Sequence, residues 1–319
     1  MGAEPLNEGG RKVSFVIPCY RSEQTLGAVV DEIIDAMSAR RETFKETLEI
    51  ILIDDCSPDG TLSVIRELVR RHPFIRGVGL ARNFGQHAAI MAGLAMAEGD
   101  VIVCLDDDGQ SPADEVSKLL DKLDEGYDIV FADYPEKKES PFRLWGSRVN
   151  DRMTVSLLNK PKDIALNSFV AFNRMVADEL LRYKGAFPYL AGLMLRTTRN
   201  VANVTVRHRE RMSGKSGYTF GKLLGLWLNG FTAFSIKPLR WAAFIGTAFA
   251  FAGFALQFYY MARKLLLPQI PEGWTSIIAL MMFFNGVILI VLGLIGEYVG
   301  RIYLSVSATP QYVIREVIT

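Results

Sequence analysis

Three consecutive aspartates, Asp106–Asp108, follow an apolar run, Val101–Leu105, and Gln110 comes two residues after them. A continuous apolar run is typical of a strand that is buried on both faces of a sheet. Neighbouring carboxylates repel one another unless a cation lies among them, and carboxylate and amide oxygens suit Mg²⁺ or Mn²⁺ rather than zinc. Mg²⁺ also takes ligands from substrate phosphates. The stretch therefore predicts a metal–diphosphate site, and a solvated acidic turn before a helix near Pro112 is the alternative.

A second buried run, Leu48–Ile53, also ends in aspartates, Asp54 and Asp55. In open α/β sheets, ligands bind just beyond the carboxyl ends of the strands, where a carboxylate can accept hydrogen bonds from a ribose hydroxyl. The sequence contains neither the glycine-rich fingerprint of dinucleotide-binding folds nor a P-loop motif, which argues against a dehydrogenase and against a P-loop NTPase. The two acidic strand ends together predict a different kind of nucleotide site.

A basic, glycine-containing loop, Arg207–Tyr218, follows the β-like run Val201–Val206. Glycine lets backbone N–H groups approach a phosphate, and arginine supplies forked donors for it. The loop therefore predicts a phosphate-binding role, with an ordinary solvated basic loop as the alternative.

Strands and helices alternate through the first two thirds of the chain, which predicts an α/β fold with a mainly parallel, doubly wound, Rossmann-like sheet. The predicted strands are Val13–Pro18, Leu48–Ile53, Gly77–Leu80, Val101–Leu105, Asp128–Ala132 and Val201–Val206. The predicted helices include Leu26–Met37, Leu62–Val69 and Ser117–Leu123.

Two uncharged stretches near the C-terminus, Trp241–Tyr260 and Ser276–Ile295, are each about 20 residues long, which matches the hydrocarbon core of a bilayer. They predict a two-helix transmembrane hairpin, and two buried core helices are the alternative. Basic residues are more frequent before the first stretch than between the two, which places the large N-terminal domain in the cytoplasm.

The formal net charge of +1 gives no case for nucleic-acid binding, and the three widely spaced cysteines favour reduced, buried thiols.

The chain is therefore expected to divide into five segments. They are a catalytic domain over 1–219, amphipathic interfacial helices over 220–240, transmembrane helices over 241–262 and 275–296, and a cytoplasmic C-terminal tail over 297–319.

The order of these motifs resembles the family-2 glycosyltransferases with a GT-A fold, and within them the polyprenyl-phosphate glycosyltransferases related to dolichol-phosphate mannose synthase. The resemblance extends from Val13 to about Val313. The motifs that carry it are Val16–Tyr20, Ile53–Thr61, Arg82–Ala89, Asp106–Gln110, Arg211–Tyr218 and Gly296–Tyr303. The segment Gln86–Ala89 is most similar to the bacterial branch that acts on undecaprenyl phosphate.

This resemblance implies inverting, metal-dependent transfer of a sugar from a nucleotide sugar, with UDP favoured, to a polyprenyl (undecaprenyl) phosphate. It further implies Mg²⁺ or Mn²⁺ as cofactor, a multi-pass protein of the bacterial inner membrane, and a homotetramer. By the same resemblance, the nucleotide sugar would be bound by Pro18, Tyr20, Glu23, Asp55, Asp106 and Asp107. The metal would be bound by Asp108 and Gln110, and the acceptor phosphate by Arg211, Lys215 and Ser216. The catalytic residues would be Asp108 and Arg211. The sequence does not identify the sugar that is transferred.

The sequence departs from the family pattern at four positions: Cys56 replaces a glycine, Gly109 a leucine and Gly217 a lysine, and Ser168 lies where many relatives have an aspartate. Serine is a poor general base. A phosphate acceptor is already ionised at neutral pH, however, so positioning and charge neutralisation can carry most of the rate.

Two other functional classes stay open. A processive polysaccharide synthase would share the catalytic sheet, but the sequence lacks its Gln-x-x-Arg-Trp motif. A membrane-anchored nucleotide-sensing module would bind the nucleotide without catalysing transfer.

Overall fold

The computed structural model describes residues 11–40, 47–134, 160–161, 163–207, 209, 274–307 and 309–319, with scattered helical residues between 239 and 262. The chain divides into two compact units. One comprises Met1–Gly217 with Ala308–Thr319, and the other comprises Tyr218–Ser307.

The described part of the first unit is built on an eight-stranded sheet with the order β7-β5-β6-β4-β1-β2-β3-β8. The strands are β1 Val13–Cys19, β2 Leu48–Asp54, β3 Ile75–Leu80, β4 Val101–Cys104, β5 Ile129–Asp133, β6 Val170–Asn173, β7 Val201–Thr205 and β8 Ile314–Ile318. The central strands β4, β1, β2 and β3 are parallel, as are β5 and β7, whereas β6 and β8 run antiparallel to their neighbours. This confirms the predicted mainly parallel α/β sheet.

Helices connect these strands and cover the sheet. They are α1 Leu26–Arg40, α2 Thr61–Arg71, α3 Gln86–Leu94, α4 Val116–Asp124, α5 Arg174–Leu181 and α6 Leu190–Thr197, and a short 3₁₀ turn, Ala113–Glu115, precedes α4. In α1 the buried residues recur at helical spacing, so that one face of the helix joins the core. Every residue of β1 and β2 is buried, which explains their mostly apolar sequences, and the buried Ser14 hydroxyl donates to the Glu49 carboxylate.

The parallel central strands bring their last residues to one edge of the sheet, here called the carboxyl edge. Cys19 at the end of β1 lies opposite Asp54 at the end of β2. Cys104 at the end of β4 lies opposite Val170, the first residue of the antiparallel strand β6. The residues just before β6 and those just after β1, β2 and β4 therefore meet at this edge.

Helix α3 packs closely against the sheet because it has a glycine at its point of contact. A Cβ atom on Gly93 would lie 2.5 Å from Val16 Cγ1 and 2.6 Å from Ile53 Cδ1. The run 88–94 is buried throughout, so the helix is fixed against β1 and β2. Its first residues, Gln86 and His87, are thereby held at the carboxyl edge.

The last residues of the chain form a strand that was not among those predicted from the sequence. Ile314–Ile318 forms β8, which pairs antiparallel with β3, with Leu80 opposite Ile314. Arg66 Nη2 donates to both carboxylate oxygens of Glu316, at 2.8 and 2.9 Å. Because β8 is antiparallel to β3, the chain enters this strand at the carboxyl edge.

In the second unit, helix α7 extends over Trp274–Val306, ten residues beyond the end expected for the second span. Within the residues that the structure describes, α7 is the one helix that is long and apolar enough to cross a membrane, and the qualifying segment is Phe283–Gly300. The predicted interfacial helices over 220–240 and the first predicted span over 241–262 lie largely outside the described residues, and the five-segment division stays a prediction.

Close packing of α3 predicts a specific glycine requirement. Gly93→Ala should lower the melting temperature of the detergent-solubilised protein by roughly 3–10 °C, because the added methyl group overpacks the contact with β1 and β2. Gly27→Ala in α1 is the matched control, since no atom lies within 4 Å of its Cβ position, and it should leave the melting temperature unchanged or slightly higher. Equal melting temperatures for the two variants would contradict this packing.

Candidate active site

Asp107, three residues after the end of β4, shapes the turn between β1 and α1. Its Oδ2 accepts hydrogen bonds from the Tyr20 N–H at 2.9 Å and from the Ser22 hydroxyl, and its carbonyl oxygen accepts one from Thr25 Oγ1 at 2.7 Å. Burial raises the pKa of the Asp107 carboxyl, the hydrogen bonds from Ser22 and Tyr20 oppose that shift, and the charge of Asp108 adds to it. Asp107, which is predicted to bind the nucleotide sugar, therefore also holds the loop that carries Tyr20.

Asp55, directly after β2, holds a second loop in the same way. Its Oδ1 accepts the Phe84 N–H at 2.7 Å and its Oδ2 accepts the Gly85 N–H at 2.8 Å. Gly85 has φ +89°, a conformation that favours glycine. Burial raises the pKa of the Asp55 carboxyl, and the two backbone hydrogen bonds oppose the shift. Asp55 thus fixes the loop between β3 and α3 at the carboxyl edge.

The remaining residues predicted to bind the nucleotide also lie at this edge. Glu23 Oε2 accepts the Gly60 N–H at 3.0 Å, and a Cβ atom on Gly60 would lie 2.7 Å from Glu23 Cδ, so a larger residue at position 60 would displace the Glu23 carboxylate. Pro18 is buried within β1. Tyr20 is 44% exposed, and the Arg21 guanidinium lies 5.5 Å from its ring centroid. The exposed ring of Tyr20 is suited to stacking against a base.

Asp106 joins three elements of the fold. Its Oδ1 accepts a hydrogen bond from Gln86 Nε2 of α3 at 2.7 Å, and its Oδ2 accepts one from the Ser168 hydroxyl, just before β6, at 2.5 Å. Gln86 lies in the motif Arg82–Ala89 but was not predicted to have a role, and Ser168 was predicted only as a departure from the family pattern. An aspartate at position 168 would bring a second carboxylate against Asp106, so serine removes a like-charge repulsion at this point.

Asp108 and Gln110 lie together in the predicted metal loop. Asp108 Oδ1 accepts the Gln110 N–H at 3.0 Å, and Gly109 between them has φ +74°. No group of three or more His, Cys, Asp or Glu side chains suited to a metal occurs among the described residues. One carboxylate and one carboxamide nevertheless fit a hard cation that completes its shell with substrate phosphates and water.

Tyr134 belongs to the same cluster and was not singled out from the sequence. It follows β5, and its side chain hydrogen-bonds with Ser111. Burial raises the pKa of its phenol, and the negative charges of Asp106 and Asp108 raise it further. The phenol therefore stays protonated at neutral pH as a hydrogen-bond donor beside the acidic loop. A tyrosine at a strand end carries little sequence signal, because its role depends on the strand order.

Charged contacts attach the first residues of the basic loop to the segment just after the metal loop. Arg207 donates its backbone N–H to Glu115 Oε2 at 3.1 Å, and its guanidinium pairs with Glu115 and Asp114. Arg209 pairs with Glu32 at 2.6 Å and with Asp114 at 2.9 Å. The predicted phosphate ligands, which lie further along this loop and outside the described residues, are Arg211, Lys215 and Ser216.

His87, the second residue of α3, has an unsatisfied nitrogen. Its Nδ1 is buried and has no hydrogen-bond partner among the described residues. Its ring meets the Tyr189 ring edge-on, with centroids 5.3 Å apart. Burial lowers the pKa of His87 to about 4, so the imidazole is neutral at pH 7.

Comparison with known proteins identifies the family. The model of glycosyl transferase family 2 matches residues 14–181, and that of the GtrB C-terminal hairpin matches residues 237–302. The chain belongs to glycosyl transferase family 2. It is therefore an enzyme, a glycosyltransferase with a GT-A fold, as predicted. The family favours catalysis over the nucleotide-sensing alternative, and the hairpin match together with α7 indicates membrane association.

Relatives of this glycosyltransferase extend over almost the whole chain. An uncharacterised glycosyltransferase of Bacillus subtilis, YkcC, is 31% identical over 304 residues, which cover 95% of this chain and 93% of the relative. Undecaprenyl-phosphate 4-deoxy-4-formamido-L-arabinose transferase of Salmonella enteritidis is 34% identical over 311 residues, which cover 97% and 94%.

Among solved structures, the glucosyl-3-phosphoglycerate synthase of Mycobacterium tuberculosis in complex with UDP superposes with a TM-score of 0.50. The two proteins are 19% identical, over 70% of this chain and 78% of the synthase. This likeness supports the fold alone.

The low pKa of His87 predicts a loss of stability in acid. Between pH 6.5 and pH 4 the unfolded chain binds a proton at this imidazole that the folded chain does not bind, so folding weakens as the pH falls. By pH 5 the cost is about 2 kcal/mol. The decrease in melting temperature from pH 7.5 to pH 5 should therefore be larger for the wild type than for His87→Leu. Parallel falls in the two proteins would show that His87 is not buried as a neutral imidazole.

Proposed function

We propose that this glycosyltransferase transfers a sugar from a nucleotide sugar, with UDP as the favoured nucleotide, to polyprenyl (undecaprenyl) phosphate. The product is a polyprenyl-phosphate-linked sugar for envelope glycan or lipid modification. The reaction takes place at the cytoplasmic face of the bacterial inner membrane, which the chain crosses twice. The 34% identity to a Salmonella enzyme named for undecaprenyl-phosphate sugar transfer supports this acceptor.

The main support for the proposal is the point at which the chain joins the sheet after its candidate membrane helix. Helix α7 ends at Val306, and β8 begins beside Leu80 at the carboxyl edge. The carbonyl of Val313, just before β8, accepts the Ala81 N–H at 2.9 Å. The acidic loop Asp106–Asp108 lies at the same edge of the sheet. The chain that follows α7 therefore joins the sheet at the edge that carries the predicted donor site, which supports an acceptor bound to the membrane.

The donor end of the site is acidic, as a cation-assisted diphosphate site requires. Asp108 and Gln110 would hold Mg²⁺ or Mn²⁺, which when bound neutralises charge on the leaving nucleoside diphosphate. Tyr20 offers its exposed ring to the base, and Asp106 is oriented by Gln86 and Ser168 to accept hydrogen bonds from sugar or ribose hydroxyls. Tyr134 supplies a neutral phenol donor beside them.

The acceptor end is assigned to the basic loop. Arg207 and Arg209 attach the start of this loop beside Asp114, and Arg211, Lys215 and Ser216 follow within a few residues. We assign these three residues to the lipid phosphate, because arginine binds phosphate oxygens through two parallel hydrogen bonds.

The phosphate would attack the anomeric carbon directly and invert its configuration. The second pKa of a phosphate monoester is about 6, so the acceptor is ionised at neutral pH. Ser168 therefore need not remove a proton from it. Positioning and charge neutralisation would supply most of the rate. A homotetramer, suggested by the family resemblance, stays a prediction.

The transfer itself can be measured with the full-length protein in lipid nanodiscs that contain undecaprenyl phosphate. A panel of UDP- and GDP-sugars should give one main lipid product by mass spectrometry, from a UDP-sugar, with stoichiometric release of UDP. Asp108→Asn should slow transfer by roughly 10²–10³-fold, as expected when a charge-stabilising group is lost.

Asp178→Asn is the matched control, because Asp178 lies in an exposed ion pair with Arg174 on α5. Such pairs contribute little to stability, so this variant should keep the wild-type rate. Nucleotide release without a lipid product, or a near-normal rate in Asp108→Asn, would contradict the proposal.

A further inference from the structure

The loop between α5 and α6, residues 182–189, presents an exposed aromatic side chain between basic ones. Phe187 is 56% exposed, and Arg182 and Lys184 are exposed as well. A large aromatic side chain on a soluble surface usually packs at least partly against its neighbours. Here the loop instead directs Phe187 away from the protein core.

Internal hydrogen bonds hold this loop in shape without the help of Phe187. The Tyr183 hydroxyl donates to the Phe187 carbonyl at 3.2 Å, folding over Gly185, where a side chain would collide with the Tyr183 phenol. Pro188 is buried, and the next residue, Tyr189, contacts the ring of His87. Phe187 is therefore exposed on a fixed loop rather than on a loose one.

The loop lies at the carboxyl edge of the sheet. Strand β6 ends at Asn173, opposite Val101 at the start of β4, so α5 begins at the other edge and returns the chain to the carboxyl edge. The contact between Tyr189 and His87 places the end of the loop beside the first turn of α3. Its apolar tip and basic flanks therefore lie on the side of the sheet that carries the donor site.

The same loop is bonded to the chain that arrives from the membrane helix. Gln311 Nε2 donates to the Tyr183 carbonyl at 2.6 Å, and Gln311 lies shortly after Val306, the last residue of α7. The segment that follows the candidate membrane helix therefore bonds directly to this loop.

We propose that the loop 182–189 is a membrane-surface contact, in which Phe187 inserts between lipids and Arg182 and Lys184 bind anionic headgroups. Aromatic side chains favour the interface between hydrocarbon and water, and basic residues near it are attracted to anionic lipids. Arg182 is paired with Glu179 at 2.9 Å, but an exposed pair of this kind is weak and can exchange for a lipid phosphate. The contact would hold the donor site against the bilayer surface.

This inference rests on the proposed membrane-surface function, but its test does not require transfer activity. Phe187→Cys in the full-length protein is labelled with an environment-sensitive fluorophore and placed in nanodiscs that contain anionic phosphatidylglycerol. Asp121→Cys, on an exposed position of α4, is the matched control, and Lys184→Cys is the second loop variant. Each label is then exposed to a quencher attached to lipid chains and, separately, to aqueous iodide.

The lipid-borne quencher should reduce the fluorescence at position 187 several-fold more than at position 121, and iodide should show the opposite order. Strong iodide quenching at both 187 and 184 would overturn the inference, because the loop would then face water. Protection from both quenchers would also overturn it, because a protein surface, such as a second copy of this chain, would then cover the loop. Transfer activity is measured on the same samples, so that a failed proposal for the reaction is distinguished from a failed proposal for the loop.

Discussion

Repulsion among carboxylates at the carboxyl edge is the constraint on which the rest of the site depends. Asp54 and Asp55 end one strand, and Asp106–Asp108 follow another two positions away in the sheet. Described residues hold Asp55 and Asp107 through backbone N–H groups and a serine hydroxyl, and Asp106 through Gln86 and Ser168. These uncharged donors orient the carboxylates without cancelling their charge. A cation-bound diphosphate is the ligand that such an edge favours.

Through the same hydrogen bonds, the acidic residues also hold the loops around the site in place. Asp55 fixes the loop before α3, and Asp107 fixes the turn that presents Tyr20. The close packing at Gly93 fixes α3 against the sheet, and α3 in turn presents Gln86 to Asp106. Strand β8, which follows α7 in the chain, begins at this same carboxyl edge of the sheet.

Much of the fold is predictable because its strands are buried on both faces. The runs that became β1, β2 and β4 are mostly apolar, and the alternation with helices predicts their parallel order. Strand β8 was not predicted, because Ile314–Ile318 is short, carries charges and pairs with residues far away in the sequence. The roles of Tyr134 and Ser168 were missed for a related reason. Each depends on a distance that the strand order sets, and neither forms a recognisable motif.

The central claim is that the acidic edge binds the nucleotide diphosphate together with a divalent cation. Calorimetry of UDP binding to the full-length protein, with Mn²⁺ and then with a chelator, tests this claim most directly. We predict that removing the metal weakens UDP binding by about tenfold or more, since about 1.4 kcal/mol of attraction is lost, and that Asp108→Asn removes most of this metal dependence. Equal UDP affinity with and without the metal in the wild-type protein would contradict the account.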